Sequence, residues 1–370
     1  MPLSRSGSVM HVICGSQNYG TEHFVLSLAK ELDQLGVPVA VMTIKSDSTD
    51  FGRIPVLTVA RKSRYDIGFL WRMVRVIREC KPAVVHTHGY HGKIWGRLAA
   101  RLAGVKSIVH TEHDSSFEGR PIQRAVNTAL HHSTDAVVTF SNTLARRLVA
   151  EDAVPADRVV VIPNGVPRPI RRTRRALAKI DPPVPEGSKL IVQVGRLAKV
   201  KNQQLAVRAL AELRHRRPNH RYVLAFVGAG EDEEMLRHLA ISLGVADSIR
   251  FLGYRDDVDD LMRRCDALLV TSLNEAMPLT ILEAMYSGLA IVSTPWNGAS
   301  ELLEDGAFGC ITPSYEPADV AIALGDWLED RVSSMRAVDA AYAAARSRFD
   351  IRWTARQHAA LYSRFHVATN

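Results

Sequence analysis

Short apolar runs alternate with amphipathic helical stretches along the chain, and the alternation begins twice. Such a pattern folds into a parallel sheet covered by helices. In the first half, strands are predicted at Met10–Cys14, Val37–Thr43, Ala83–His88, Ser107–Thr111, Ala136–Phe140 and Val159–Ile162. Helices are predicted between them at Thr21–Leu35, Gly68–Cys80, Lys93–Ala103 and Asn142–Glu151. A second series of strands runs through Leu190–Gly195, Tyr222–Gly228, Ile249–Gly253, Ala267–Thr271, Ala290–Thr294 and Gly309–Ile311. Between the series lies Pro163–Pro185, with Asn164-Gly165, five prolines from Pro163 to Pro183 and the basic cluster Arg171-Arg172-Thr173-Arg174-Arg175, which is loop chemistry. The predicted class is α/β: two facing Rossmann-like, doubly wound domains with ligands bound at the carboxyl ends of their strands, in the cleft between them. The expected boundaries are 1–168, a linker at 169–188, and 189–349, with a last helix at about 350–370 crossing back onto the first domain.

With 370 residues, 46% of them hydrophobic, the chain can fill two cores. It contains no uninterrupted apolar run near the ~20 residues that span a bilayer. Met1–Ser8 is too short and polar for a signal peptide. Cys14, Cys80, Cys265 and Cys310 are scattered, without metal-ligand spacing, which suits a reducing cytoplasm. The net charge of +8 is uneven: residues 1–170 hold 21 Lys/Arg against 14 Asp/Glu, and residues 171–370 hold 26 against 25. An anionic partner is therefore expected at the first half. Without a zinc finger, aromatic RNA platform or basic arm, nucleic acid is not expected.

The stretch Asn274–Gly288 carries the most chemistry. Pro278 suits a first helical turn, because its missing N–H is one the helix leaves unpaired. The amides of Leu279 and Thr280 would then face outward at the positive end of a helix, a phosphate site. Glu275 precedes this end and Glu283 lies about one turn inside. A carboxylate beside a phosphate is unfavourable unless it accepts hydrogen bonds from hydroxyls, so the ligand suggested carries both phosphate and sugar. The plainer alternative is an ordinary capped helix with two acids.

Upstream, Gly195-Arg196 ends a strand and Lys201 follows, two cations suited to a diphosphate. Phe226-Val227-Gly228-Ala229-Gly230 is a tight turn lacking the third glycine of a dinucleotide fingerprint. Phe251-Leu252-Gly253-Tyr254-Arg255 brings Tyr254 to another strand end, a candidate neighbour of a base. Asp256-Asp257-Val258-Asp259-Asp260 invites a metal reading but fits a helix start, where acids complement the dipole.

In this order the motifs resemble the retaining family 4 (group 1) glycosyltransferases of the GT-B fold. The likeness rests on Val194-Gly195-Arg196 with Lys201, Val227–Gly230, Phe251–Val258, Glu275-(seven residues)-Glu283, Ala284-Met285, Gly288 and Glu301–Gly306. Ile162-Pro163-Asn164-Gly165-Val166 resembles the family's interdomain segment. The resemblance implies that Arg196 and Lys201 bind the diphosphate and stabilise the leaving group. It also implies that Glu275 holds the transferred sugar near its C3 and C4 hydroxyls and Glu283 the ribose. The donor-binding set it implies is Gly20, Gly195, Gly228, Tyr254, Met277, Leu279, Thr280 and Glu283, with no metal and no cofactor beyond the UDP- or GDP-sugar substrate.

In the first half, Gly15–Glu22 joins strand to helix where backbone would approach the diphosphate, with Gly20 keeping the family match and Tyr19 departing from it. Ile108–His113 resembles the segment whose last histidine meets the donor sugar, which makes His113 a site residue. His86 and His88 share one side of a strand, but no third ligand follows at a convincing spacing; His86 and His110 are expected to be polar packing, with a role for His88 left open. Arg72, Arg75 and Arg78 line one face of Gly68–Cys80, a helix that either lies on anionic lipid or packs on the sheet with a solvated face.

The expected function is retaining transfer of a sugar to a cytoplasmic acceptor, foremost a lipid-linked glycan of surface-polysaccharide assembly, at the inner face of the cytoplasmic membrane. The rivals are a transferase for a small soluble acceptor and a non-catalytic sugar-nucleotide-binding protein.

Overall fold

Strand formation follows the apolar runs. A computed structural model describes residues 8–13, 19–44, 52–63, 66, 68–89, 92–113, 121–168 and 179–365. Among these, one sheet contains β1 (Val9–Ile13), β2 (Val39–Thr43), β3 (Val56–Thr58), β4 (Val84–His88), β5 (Ser107–Thr111), β6 (Ala136–Thr139) and β7 (Val159–Val161). Their spatial order is β3-β2-β1-β4-β5-β6-β7, every pair parallel. The other contains β8 (Lys189–Val194), β9 (Tyr222–Val227), β10 (Ile249–Phe251), β11 (Ala267–Val270), β12 (Ala290–Ser293) and β13 (Cys310–Ile311), in the order β10-β9-β8-β11-β12-β13, again all parallel. Both are doubly wound, with the order reversing beside the first strand of each: between β1 and β4, and between β8 and β11.

The chain divides into a unit of Met1–Pro167 with Phe349–Asn370, and a unit of Arg168–Arg348. In the first, helix Ile351–Ser363 packs against helix Tyr19–Gln34. Its start is tied to the Asn164-Gly165 segment: Val166 N–H donates to Phe349 O at 3.0 Å and Ile351 N–H to Val166 O at 3.1 Å. A Cβ on Gly165 would lie 2.5 Å from Thr354 Oγ1 and 2.7 Å from Ile351 Cα, so only glycine allows this approach. Asn164 and Val166 are buried, and this stretch is packed backbone rather than open loop. The stretch 179–188 is held to the second unit, with Arg250 donating to the carbonyls of Pro182 and Pro183 and Arg255 to that of Lys179. The basic cluster Arg171–Arg175 lies outside the described residues.

Three local features depart from expectation. The edge strand β3 has only three residues, mostly exposed, too short to show a periodicity. The expected helix Lys93–Ala103 is a π turn, Gly92–Gly96, continued by α-helix Arg97–Ala103. Its glycines allow it to lie directly on β1 and β4, since a Cβ at Gly96 would come 2.9 Å from Thr87 Cγ2. Pro278 is not inside a helical turn: with ψ 124° it is the extended residue preceding helix Leu279–Ser287.

Candidate active site

In the second unit, the loops following β8 and β11 meet at the point where the strand order reverses. Gln193, a buried polar residue in an otherwise apolar strand, donates from Nε2 to Thr271 Oγ1 at 2.8 Å and to Lys201 O at 3.2 Å. The Thr271 hydroxyl lies 2.9 Å from the carbonyl oxygens of both Lys201 and Asn202, and Leu273 N–H donates to Val200 O at 2.9 Å. These bonds fix the short 3₁₀ turn Lys199–Lys201, which ends on Asn202 in the left-handed region. The turn directs Lys201 Nζ to Glu275 Oε1 at 2.5 Å, and Ser272 Oγ donates to the same oxygen at 2.6 Å. One carboxylate oxygen of Glu275 is thus held from two sides.

Arg196 is largely exposed, with its guanidinium 3.3 Å from Glu231. Gly195 and Gly228 adopt φ of 147° and 136°. A Cβ on Gly228 would lie 2.1 Å from Gly195 O, and one on Gly230 2.1 Å from Leu197 O. These glycines are therefore required by close approach of two strand-end loops, whatever ligand they meet. Gly228 N–H also donates to Gly253 O at 2.7 Å, which positions the segment carrying Tyr254, a ring that is 59% exposed.

Helix Leu279–Ser287 begins with partly buried Leu279 and Thr280, whose amides precede the first i−4 acceptor, as at any helix start. Met277 is buried just ahead of it. Glu283, partly buried on this helix, has its carboxyl pushed up to about 7, by burial first and by the Asp259 carboxylate second. Asp259 is itself raised, mainly by burial. The acidic stretch at 256–260 thus supplies an electrostatic neighbour of Glu283 as well as a helix start.

In the first unit the histidines converge. His11, His86, His88 and His110 are completely buried, and His113 is partly buried at the end of β5. His11 Nδ1 lies 2.9 Å from His88 Nε2, and His88 Nδ1 lies 3.2 Å from His113 Nε2. His86 bonds Tyr362 Oη at 2.6 Å through Nδ1 and Thr111 Oγ1 at 2.7 Å through Nε2. His11, placed beside His86 by parallel register, is the third histidine that spacing did not reveal. One nitrogen from each of His11, His86 and His88 lies within 4.8 Å of the others, yet both nitrogens of His86 and His88 are engaged in the hydrogen bonds above. Burial holds His11 and His113 down to about 3 and His88 well below the usual histidine range, so all three are neutral at pH 7.

Beside them, Lys93 Nζ pairs with Glu112 at 2.5 Å in a fully buried bridge. Burial opposes ionisation of Glu112, but Lys93 and His110 overcome it and hold the carboxyl far below the carboxylate range. Buried Arg97 lies against Asn127, His131 and Thr134. Gly20 lies in the first turn of helix Tyr19–Gln34, and a Cβ there would meet nothing within 4 Å. The loop at 14–18 before it lies outside the described residues. Helix Gly68–Cys80 buries Phe69, Met73, Val74 and Ile77 against the sheet. Its arginines are held by Asp66, Glu79 and the Leu102 carbonyl, and Trp71 is 59% exposed.

Residues 175–344 match the family described as Glycosyl transferases group 1, and residues 19–168 match Glycosyltransferase Family 4. A D-inositol 3-phosphate glycosyltransferase of Corynebacterium aurimucosum is 30% identical over 358 residues, covering 84% of this chain and 83% of its own length. The chain belongs to the group 1 glycosyltransferases of family 4. Other relatives align over less of their length. A D-inositol 3-phosphate glycosyltransferase of Acidothermus cellulolyticus is 31% identical, covering 66% of this chain and 59% of its own length. A UDP-Gal:alpha-D-GlcNAc-diphosphoundecaprenol alpha-1,3-galactosyltransferase of Escherichia coli is 27% identical, covering 65% of each. Among solved structures, Anabaena HepE in complex with UDP and glucose superposes with a TM-score of 0.83 at 21% identity, over 96% of this chain and 99% of that one. With this family comes the GT-B fold, of which the two doubly wound sheets are the halves.

Proposed function

We propose that this family member transfers a sugar from a nucleoside diphosphate sugar, with retention of configuration, to a lipid-linked glycan acceptor. The observation that carries the reading is the Lys201–Glu275 pair beside helix Leu279–Ser287, at the point where the strand order reverses in the second sheet. In this reading Arg196 and Lys201 take the diphosphate, and the amides of Leu279 and Thr280 cap it at the helix N-terminus. Gly20 and Gly195 let backbone come close, and Gly228, Tyr254 and Met277 line the nucleotide. Glu283 accepts from the ribose hydroxyls.

Glu275 Oε1 is occupied by Lys201 and Ser272, so Oε2 is the oxygen presented to the sugar's C3 and C4 hydroxyls. As the leaving phosphate develops charge, Lys201 and Arg196 stabilise it, and that phosphate takes the acceptor's proton during attack on the same face. His113 faces the transferred sugar.

A uridine donor is favoured by HepE, whose crystals hold UDP and glucose. A lipid-linked acceptor is favoured by the diphosphoundecaprenol relative and by the basic first half. A second reading has its own support in the D-inositol 3-phosphate relatives: a small phosphorylated acceptor that the same basic half would attract. Peripheral attachment to anionic lipid belongs to the first reading, with exposed Trp71 and Arg75 on the outer side of their helix. No helix among the described residues is long and apolar enough to cross a membrane.

Incubation with UDP- and GDP-sugars, with either a polyprenyl-diphosphate glycan or an inositol phosphate, tests both readings. Glycosylated lipid supports the first, and product on inositol phosphate alone supports the second. Absence of transfer and of donor hydrolysis with every pair contradicts both.

A further inference from the structure

The histidine chain in the first unit has a direction. His11, His88 and His113 are neutral, so each ring carries one N–H, and each of the two bonds between them needs one donor and one acceptor. Only two tautomer sets satisfy both bonds. In one, protons point from His113 towards His11, leaving a fully buried N–H at His11 Nε2. In the other they point from His11 towards His113, leaving a lone pair there. His11 Nε2 is buried with no hydrogen-bond partner. An orphaned buried N–H is rarer than an under-used acceptor, so the second set is the stable one.

We infer that His11 and His88 are positioning residues that lock His113 in its Nδ1–H form, so that His113 offers the transferred sugar a hydrogen-bond donor and not a base. His113 Nε2 is used as the acceptor for His88 Nδ1–H, and that is the ring's one hydrogen bond among the described residues. The Phe24 and Phe140 rings meet the imidazole edge-on, with centroids 5.9 and 5.1 Å away, and hold its plane. The Nδ1–H is left to serve an oxygen acceptor, a hydroxyl of the donor's hexose. This deepens the reading of His113 as the sugar's neighbour and rests on it.

The test is ¹⁵N NMR of the histidine side chains in the full chain, which reports which ring nitrogen carries the proton. His11, His88 and His113 are expected to be protonated on Nδ1. Replacing His11→Asp puts an acceptor where the first donor stood, so that His88 must donate from Nε2 and accept at Nδ1. His113 should then populate the Nε2–H form, and kcat/KM for the nucleotide sugar should fall about tenfold, the worth of roughly one hydrogen bond. Affinity for the nucleoside diphosphate alone should hold. His11→Asn, whose amide N–H replaces the lost donor, should restore both the spectrum and kcat/KM.

A wild-type His113 protonated on Nε2 overturns the inference, and so does a H11D protein with unchanged tautomer and kcat/KM. If H11D does not fold, the wild-type spectrum decides alone. If no nucleotide sugar reacts, the substrate reading fails while the spectrum still decides the relay.

Discussion

Lys201 and Glu275 neutralise each other at 2.5 Å, and the second contact from Ser272 makes this a set geometry. In the proposed site, removing the ammonium takes away the charge that would meet the leaving diphosphate. Lys201→Ala is expected to lower donor turnover on the order of 100-fold or more, the usual scale for a preorganised electrostatic group, as read by release of nucleoside diphosphate. A variant within threefold of wild type would remove Lys201 from the mechanism. Glu283 gives a pH signature. With its carboxyl raised to about 7, it is increasingly protonated below neutrality, and in the proposed site it would then accept fewer hydrogen bonds from ribose hydroxyls. Nucleotide affinity should therefore weaken as pH falls from 8 to 6, and Glu283→Gln should flatten the profile, measured by calorimetric titration. The Glu-x7-Glu spacing singles out Glu275 and Glu283 in the sequence. Gln193, Thr271 and Ser272 are not legible there, because a polar residue inside an apolar strand shows its purpose only when the neighbouring strand is in place. A lone Gln in Leu190–Gly195 was the available signal.

At the scale of elements, the buried histidines tie β1, β4 and β5 together, and two carry testable consequences for stability. His11 and His113 are held to about 3 by burial, below the 6.5 expected of an unfolded chain. Between those values the unfolded state binds more protons, so stability is full above pH 6.5 and declines as pH falls towards 3. Each such histidine contributes a slope of about 1.4 kcal/mol per pH unit in that window. Urea midpoints should drop steeply from pH 6.5 to 4.5, and less steeply in a His11→Phe variant; equal slopes would contradict the burial account. The crossing segment gives a second case. Gly165→Ala pushes a methyl into Thr354 and Ile351, and should cost about 1–3 kcal/mol in chemical unfolding. Helices Gly68–Cys80 and Asn142–Glu151 match their sequence-predicted limits, since apolar spacing and the Ser141 cap define them. The π turn at Gly92–Gly96 could not be read this way. Its glycines lie against Thr87 and Val12, and Val12 is distant in sequence.

For the whole molecule, two runs of strand and helix were enough to indicate two parallel sheets, because buried parallel strands are apolar throughout and their crossovers are amphipathic. The proposed donor class rests on motif order in the second half. The proposed acceptor rests on the charge excess of the first half, and charge attracts a lipid diphosphate and an inositol phosphate alike. The arginines of helix Gly68–Cys80, for which a lipid-facing and a solvated face were both open, bond Asp66, Glu79 and the Leu102 carbonyl, and Trp71 on the same helix is exposed. The central claim is that the loops after β8 and β11, with helix Leu279–Ser287, form a nucleoside-diphosphate site. Calorimetric titration of UDP into the wild-type chain and into Lys201→Ala tests it most directly. The account predicts saturable one-to-one binding that weakens at least tenfold in the variant; equal affinity in the two proteins, or no binding of UDP or GDP by either, would contradict it.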